Sequence, residues 1–194
     1  MPVDLTKPLA WKTATGDAGA MLSQLQPNIL KGHVREHMQV LFVQFSDRAE
    51  GRAFLDAVAR KMKSAKKHLL EVERFNSPAH TPGTVYVGVG LTRAGYAKIG
   101  IPAAKVPGAS KQSAAPFRAS MRSDASVQTL GDPQVAAWEE PYRHTIHALV
   151  LIGDATQASV TAMRAQIDAL FTPKVKLLGV ETGRGQTNGH GDGI

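Results

Sequence analysis

Met38-Gln-Val-Leu-Phe-Val-Gln-Phe45 is followed by Ser46-Asp47 and then by Arg48-Ala-Glu-Gly-Arg-Ala-Phe-Leu-Asp-Ala-Val-Ala59. The first run is dense in Val, Leu and Phe and predicts a strand with both faces partly buried. Ser46 or Asp47 is placed to cap a helix. Phe54, Leu55, Val58 and Met62 then recur at helical spacing, which predicts one apolar face and a helix running to about Ser64. The same grammar returns near the other end of the chain. Thr145–Ile152 reads as a strand. Asp154–Phe171 reads as a helix with Val160, Met163, Ile167, Leu170 and Phe171 on one face, and Val175–Val180 reads as a last strand.

Between these two units, Leu69–Phe75 alternates and reads as an edge strand. Asn76–Gly83 is turn chemistry, and Thr84–Gly90 is a β-branched strand. Thr92 caps a short helix to Ile99, which Gly100 and Pro102 end. Residues 101–143 hold five prolines, at 102, 107, 116, 133 and 141. That stretch is too long for a simple connection and reads as an ordered insertion carrying short helices, one of them around Pro116–Val127. The expected architecture is α+β: a ferredoxin-like split βαβ, with a four-stranded antiparallel sheet, helices on one face and an inserted Pro-rich region. Its expected limits are an N-terminal arm over 1–20, a domain over 21–182 with the insertion at about 101–143, and a Gly-rich tail over 183–194.

Composition narrows the function. The 194 residues are 43% hydrophobic and 20% charged, as in an ordinary globular protein. There is no Cys, which excludes disulfides, Cys-ligated zinc, iron–sulfur clusters and thiolate nucleophiles. No apolar run approaches the length that spans a bilayer, and Met1–Trp11 has no apolar core of a secretory signal, so no membrane partner and a cytoplasmic location are expected. The net charge of +7 is mild. Arg60, Lys61, Lys63, Lys66 and Lys67 cluster, but no aromatic residues interleave with them. They read as a solvated helix end rather than a nucleic-acid platform, and a polyanion site there would show steep salt dependence.

Most motifs fail on inspection. Gly88-Val-Gly90 lacks the third glycine of a dinucleotide turn, since Arg93 stands there. Neither a phosphate-binding Gly-rich loop nor a nucleophile elbow is present. Seven histidines occur, at 33, 37, 68, 80, 144, 147 and 190. His33 and His37 straddle a strand start, and His144 and His147, three apart on a strand, face opposite ways. Neither pair has a carboxylate at metal spacing, so no metal site is expected. A single imidazole would still suffice to ligate haem iron. Gly189-His-Gly-Asp192-Gly193 sets a carboxylate in a glycine turn.

Leu25-Gln-Pro-Asn-Ile-Leu-Lys-Gly32 resembles the entry segment of dye-decolourising (DyP-type) haem peroxidases, and Met38–Phe45 resembles that family's first core strand. Val89-Gly-Leu-Thr-Arg-Ala-Gly-Tyr-Ala-Lys-Ile-Gly-Ile-Pro102 is similar to its second landmark. Phe117-Arg-Ala-Ser-Met121, Leu130-Gly-Asp-Pro133 and Trp138-Glu-Glu-Pro-Tyr-Arg-His-Thr-Ile-His-Ala-Leu149 are similar to the third. The order and spacing agree over residues 20–190. The resemblance implies an N-terminal half. Family members are more than twice this long and have two ferredoxin-like halves. Their haem b, proximal His and distal Arg lie in the second half. The family's distal Asp stands in a G-x-x-D-G motif, which Gly189–Gly193 fits literally. Asp192 is therefore the distal-acid candidate, although the aromatic context usual for the motif is absent.

Peroxide cleavage needs an iron with an axial ligand, a base for the first proton and a cation beside the departing oxygen. These residues offer at most the base. The expectation is the N-terminal half of a peroxidase that oxidises dyes and phenolics with hydrogen peroxide. As this chain it is expected to be inactive or dependent on a C-terminal half, with haem not bound by this chain alone. The alternative is a stand-alone ferredoxin-like binding or assembly module without catalysis, which would form a homo-oligomer through the surface left apolar.

Overall fold

In the computed structural model, residues 3–4, 6–30, 35–106, 108 and 115–186 are described. The strands are β1 (His37–Phe45), β2 (Tyr86–Leu91), β3 (Ala148–Asp154) and β4 (Val175–Arg184). The helices are α1 (Gly16–Gln24), α2 (Arg48–Ala59), α3 (Ala65–Phe75), α4 (Arg93–Lys98), α5 (Ala115–Ala119), α6 (Asp124–Leu130), α7 (Glu140–Arg143) and α8 (Gln157–Asp168). The sheet order is β2-β3-β1-β4 with every neighbouring pair antiparallel. This is the split βαβ arrangement the sequence predicts.

β1 divides its side chains between two layers, as the pleat requires. Leu41, Val43 and Phe45 are buried, whereas Val40, Phe42 and Gln44 are half-buried. Register carries this division across the sheet. Leu41 stands opposite Val150 and Val180, and Phe42 stands opposite Leu149 and Gly179. β4 holds one extra residue, Leu178, where the register shifts beside Phe42 and Val43. The first layer is the main core. Phe54 and Val58 of α2 and Val160 and Ile167 of α8 pack on Leu41, Val43, Val87, Val150 and Ile152. The Phe45 and Phe54 rings lie 6.0 Å apart. Burying each such side chain is worth about 1.5–3 kcal/mol against the unfolded chain.

Side-chain caps mark where the helices begin. Asp47 accepts from the Glu50 N–H at 2.9 Å, Thr92 from Gly95 at 3.0 Å, and Thr156 from Ser159 at 3.2 Å. Each satisfies one of the donors that a helix start leaves unpaired.

Four local readings are corrected. The helix expected to reach Ser64 ends at Ala59, and Ser64 instead caps α3 by accepting from the Lys67 N–H. Leu69–Phe75 is therefore helix, not edge strand. Buried Ala65, His68 and Glu71 recur every three residues, and that helical period overrides the short alternation of Leu70, Val72 and Arg74. The piece expected around Pro116–Val127 is two helices, α5 and α6, parted by Ser120 at φ +77°. Within the expected arm, Gly16–Ala20 belong to α1, which packs on α3. Tertiary contact stabilises this short helix, whose Gly and Ser content would not do so alone.

Candidate functional site

The second face of the sheet carries large apolar side chains beside glycines. One register row sets Gly90, Leu149, Phe42 and Gly179 side by side, and the next sets Gly88, Leu151, Val40 and Glu181. The insertion lies across part of this face. Pro141 rests on Gly179, where an added Cβ would come within 2.7 Å of the proline ring. The Tyr142 ring stands edge-on to Phe42, with centroids 5.3 Å apart at 71°. Glycine at 179 is therefore what lets α7 approach the sheet so closely.

Between the sheet end and the insertion is a cleft of about 920 Å³. Its floor is Phe42, Gly90 and Leu149; Phe117, Met121, Trp138 and Tyr142 form apolar walls; Arg93, Arg118 and Arg122 bring positive charge. Arg93 is the first residue of α4, just after the Thr92 cap. Arg122 donates from Nη1 to Thr145 Oγ1 at 3.3 Å, and its Nε is buried without a partner among the described residues. Trp138 Nε1 donates to the Pro133 carbonyl at 2.8 Å, which fixes the indole. Tyr142 donates its hydroxyl to Glu181 at 2.5 Å. That bond, with the carboxylate's charge, pushes the phenol pKa up to about 12.

The structure separates the histidines. His144 lines the cleft, with Nε2 2.6 Å from Glu140 Oε1. His147 turns the other way, into the core, although both histidines precede β3, which begins at Ala148 rather than at the expected Thr145, so strand alternation does not set their directions. Its Nδ1 accepts the Phe45 N–H at 2.9 Å and its ring stacks on Phe45. Burial and the nearby Lys98 charge lower its pKa, so it is neutral at pH 7. His37 sits at the opposite end of β1, His68 is buried on α3, and His80 occupies a turn at φ +42°. Asp192, His190 and His33 lie outside the described residues. No cluster of three or more metal-ligating side chains occurs among the described residues.

These residues do not fit haem iron. Among the described histidines only His144 reaches the cleft, and it is held by Glu140. The basic cluster is broken as well. Lys63 is buried and pairs with Glu71 at 2.5 Å, and Lys61 donates to Gln166. No described helix is long and apolar enough to cross a membrane.

The sequence reading missed Arg93 and Arg122 as site residues, and also the Tyr142–Glu181 pair. The available signal was the aromatic and charged run Trp138-Glu-Glu-Pro-Tyr-Arg143 inside an otherwise small-residue insertion.

Comparison with known proteins gives a consistent result. Residues 24–186 match the family described as the DyP dimeric alpha+beta barrel domain. The multifunctional dye peroxidase DyP2 of Amycolatopsis sp. is 47% identical over all of this chain, which spans 39% of that protein. The solved structure of DyP2 superposes with a TM-score of 0.86 at 45% identity, covering 99% of this chain and 39% of the other. The DyP-type peroxidase of Anabaena sp. gives 0.78 at 31% identity, covering 92% and 37%. The peroxidase from Pleurotus ostreatus, at 19% identity and a TM-score of 0.64 over 87% and 36%, shares the fold.

Proposed function

This chain belongs to the DyP dimeric alpha+beta barrel domain family, and from that premise we propose that it works as the N-terminal half of a peroxide-dependent haem peroxidase. The observation that carries the reading is the end-to-end match to the first two fifths of a dye peroxidase, at 47% identity. A C-terminal half, in the same or another polypeptide, supplies the haem, its axial ligand and the cation beside the departing oxygen. Without that half the chain is inactive.

Asp192 is the proposed distal acid. Its carboxylate would accept the first proton of the peroxide and return it to the leaving oxygen. Oxidation of dyes and phenolics, and a cytoplasmic setting that suits a chain without cysteine, belong to the same proposal.

A haem titration of the purified chain, with and without a candidate C-terminal half, tests it. A Soret shift that needs both halves, followed by dye turnover that Asp192→Asn abolishes, is the expected result. A stoichiometric shift from this chain alone would end the half-enzyme reading. No shift with either would favour the stand-alone binding module, whose mark would be self-association through the second face of the sheet.

A further inference from the structure

We propose that a small cavity between α4 and the start of the insertion binds a phosphate group, either the free ion or the end of a phosphomonoester. The cavity shares Arg93 and Arg118 with the wall of the cleft but none of the cleft's floor. The proposal does not rest on the peroxidase reading, because it uses only charge and geometry around this cavity.

Charge comes first. Residues 74–123 hold seven Lys or Arg and no Asp or Glu. The formal net charge of the chain is +7, so this one stretch carries an excess equal to that of the whole molecule. The acids at its two ends are placed elsewhere: Glu73 pairs with Lys12, and Asp124 lies in the first turn of α6. A field of one sign, unbroken along the chain, raises the local concentration of anions.

Geometry gathers part of that charge at one place. A cavity of about 230 Å³ is lined by Arg93, Ala103, Ala104, Val106 and Arg118. Arg93 belongs to α4 and Arg118 to α5. Tyr96, one turn along α4 from Arg93, meets Phe117 of α5 edge-on, with ring centroids 6.5 Å apart at 76°, and so holds the two helices side by side. Arg118 Nη1 donates to the Gly108 carbonyl at 3.1 Å, which anchors that guanidinium. Arg93 makes no ion pair among the described residues.

The ligand class follows from the donors. The cavity is smaller than the sites that enclose drug-sized molecules, and it suits a compact ion with its bridging waters. A cation finds no side-chain acceptor in this lining, and a neutral ligand leaves both positive charges uncompensated. A carboxylate has two oxygens in one plane and fills a single guanidinium fork. A phosphate group has three or more oxygens and up to two charges, so it accepts from two arginines on two different elements at once.

The test titrates the full chain with inorganic phosphate, replacing chloride at constant ionic strength so that general screening does not change. Calorimetry is expected to show one saturable site per chain, with a matching rise in melting temperature that chloride does not produce. This readout on the unaltered chain needs no variant to fold. Arg93→Gln and Arg118→Gln should each weaken phosphate by about tenfold. Lys67→Gln, in the other basic cluster, should leave it unchanged. Glycerol 3-phosphate distinguishes the two sources: tighter binding than inorganic phosphate assigns the site to a monoester, and weaker binding assigns it to the free ion. Absence of saturable phosphate binding at constant ionic strength, or binding that either arginine variant retains in full, would overturn the proposal.

Discussion

The side-chain amide of Gln26 pairs with both main-chain groups of Val89. Nε2 donates to the Val89 carbonyl and Oε1 accepts the Val89 N–H, each at 2.9 Å. β2 is an edge strand, and this amide occupies the place a neighbouring strand would take. Two stretches that the family resemblance quotes separately, around Gln26 and from Val89, therefore meet in space. Gln26→Ala leaves both partly buried Val89 groups unpaired and is expected to cost about 1–3 kcal/mol. Gln26→Glu keeps the acceptor, loses the donor and should fall between. Urea unfolding of the two variants against the parent measures this order.

Gly95 lies against His147 so closely that an added Cβ would stand 1.9 Å from the His147 carbonyl oxygen. Main-chain atoms on both sides leave nothing to yield. Gly95→Ala is expected to displace α4 and lower the melting temperature by several degrees. Gly131→Ala, at φ +70° in open space, should cost only about 1 kcal/mol of left-handed strain. Parallel thermal melts separate the two.

His147 makes stability depend on pH. Its folded pKa lies below the ordinary 6.5, because burial and then Lys98 disfavour its charge. The unfolded chain thus binds the proton more readily. Stability is complete above pH 6.5 and declines as the pH falls below it toward the folded value. His147→Asn, which keeps an acceptor for the Phe45 N–H, should flatten that part of the profile. Denaturant midpoints from pH 5 to 8 check it, and an unchanged slope would show that His147 is not the group responsible.

Lys63 and Glu71 form a buried pair that also holds the start of β2. Glu71 accepts from Thr84 Oγ1 and Lys63 donates to the Thr84 carbonyl. Burial alone would raise the Glu71 pKa, but its bonds to Lys63 and Thr84 outweigh burial and lower it. Stability from Glu71 is therefore present above the ordinary value of 4.5 and lost as the pH falls through the lower folded value. Lys63→Met alone strands a buried carboxylate and should cost about 3–5 kcal/mol. The double variant Lys63→Met, Glu71→Leu should recover much of that loss. A double-mutant cycle by chemical denaturation measures the recovery.

Tyr142 should ionise only near pH 12, held by its bond to Glu181. Glu181→Gln removes the charge that opposes phenolate formation and should return the transition toward the ordinary 10. Ultraviolet titration of the two proteins, compared as a difference, isolates this tyrosine from the others.

Strand β1 and the helix start at Asp47 could be read directly from sequence, because alternation, period and capping are local signals. The same holds for β3 with α8, and for Thr92 as the cap of α4. The failure at α3 shows the limit of that reading. Over Leu69–Phe75 two periods compete, and the contact of buried His68 and Glu71 with their surroundings decides between them. The reach of β4 to Arg184 has a similar cause. Glu181–Arg184 look like polar loop in sequence, yet each finds a register partner on β1 between Val40 and His37.

The cleft was far less legible. Arg93, Arg122, Tyr142 and Phe42 are separated by tens of residues, and only the run Trp138–Arg143 around Tyr142 gives a local signal. By itself the sequence determined the antiparallel α+β architecture, the family and the presence of an insertion, since these follow from residue periodicity and from motifs in order. Only the tertiary structure decided where the insertion lands and which arginines lack a carboxylate among the described residues. It also decided that the two histidines of the His144–His147 segment serve opposite layers. Those properties depend on which distant atoms become neighbours and on what they exclude from water, and the folded sheet alone sets that.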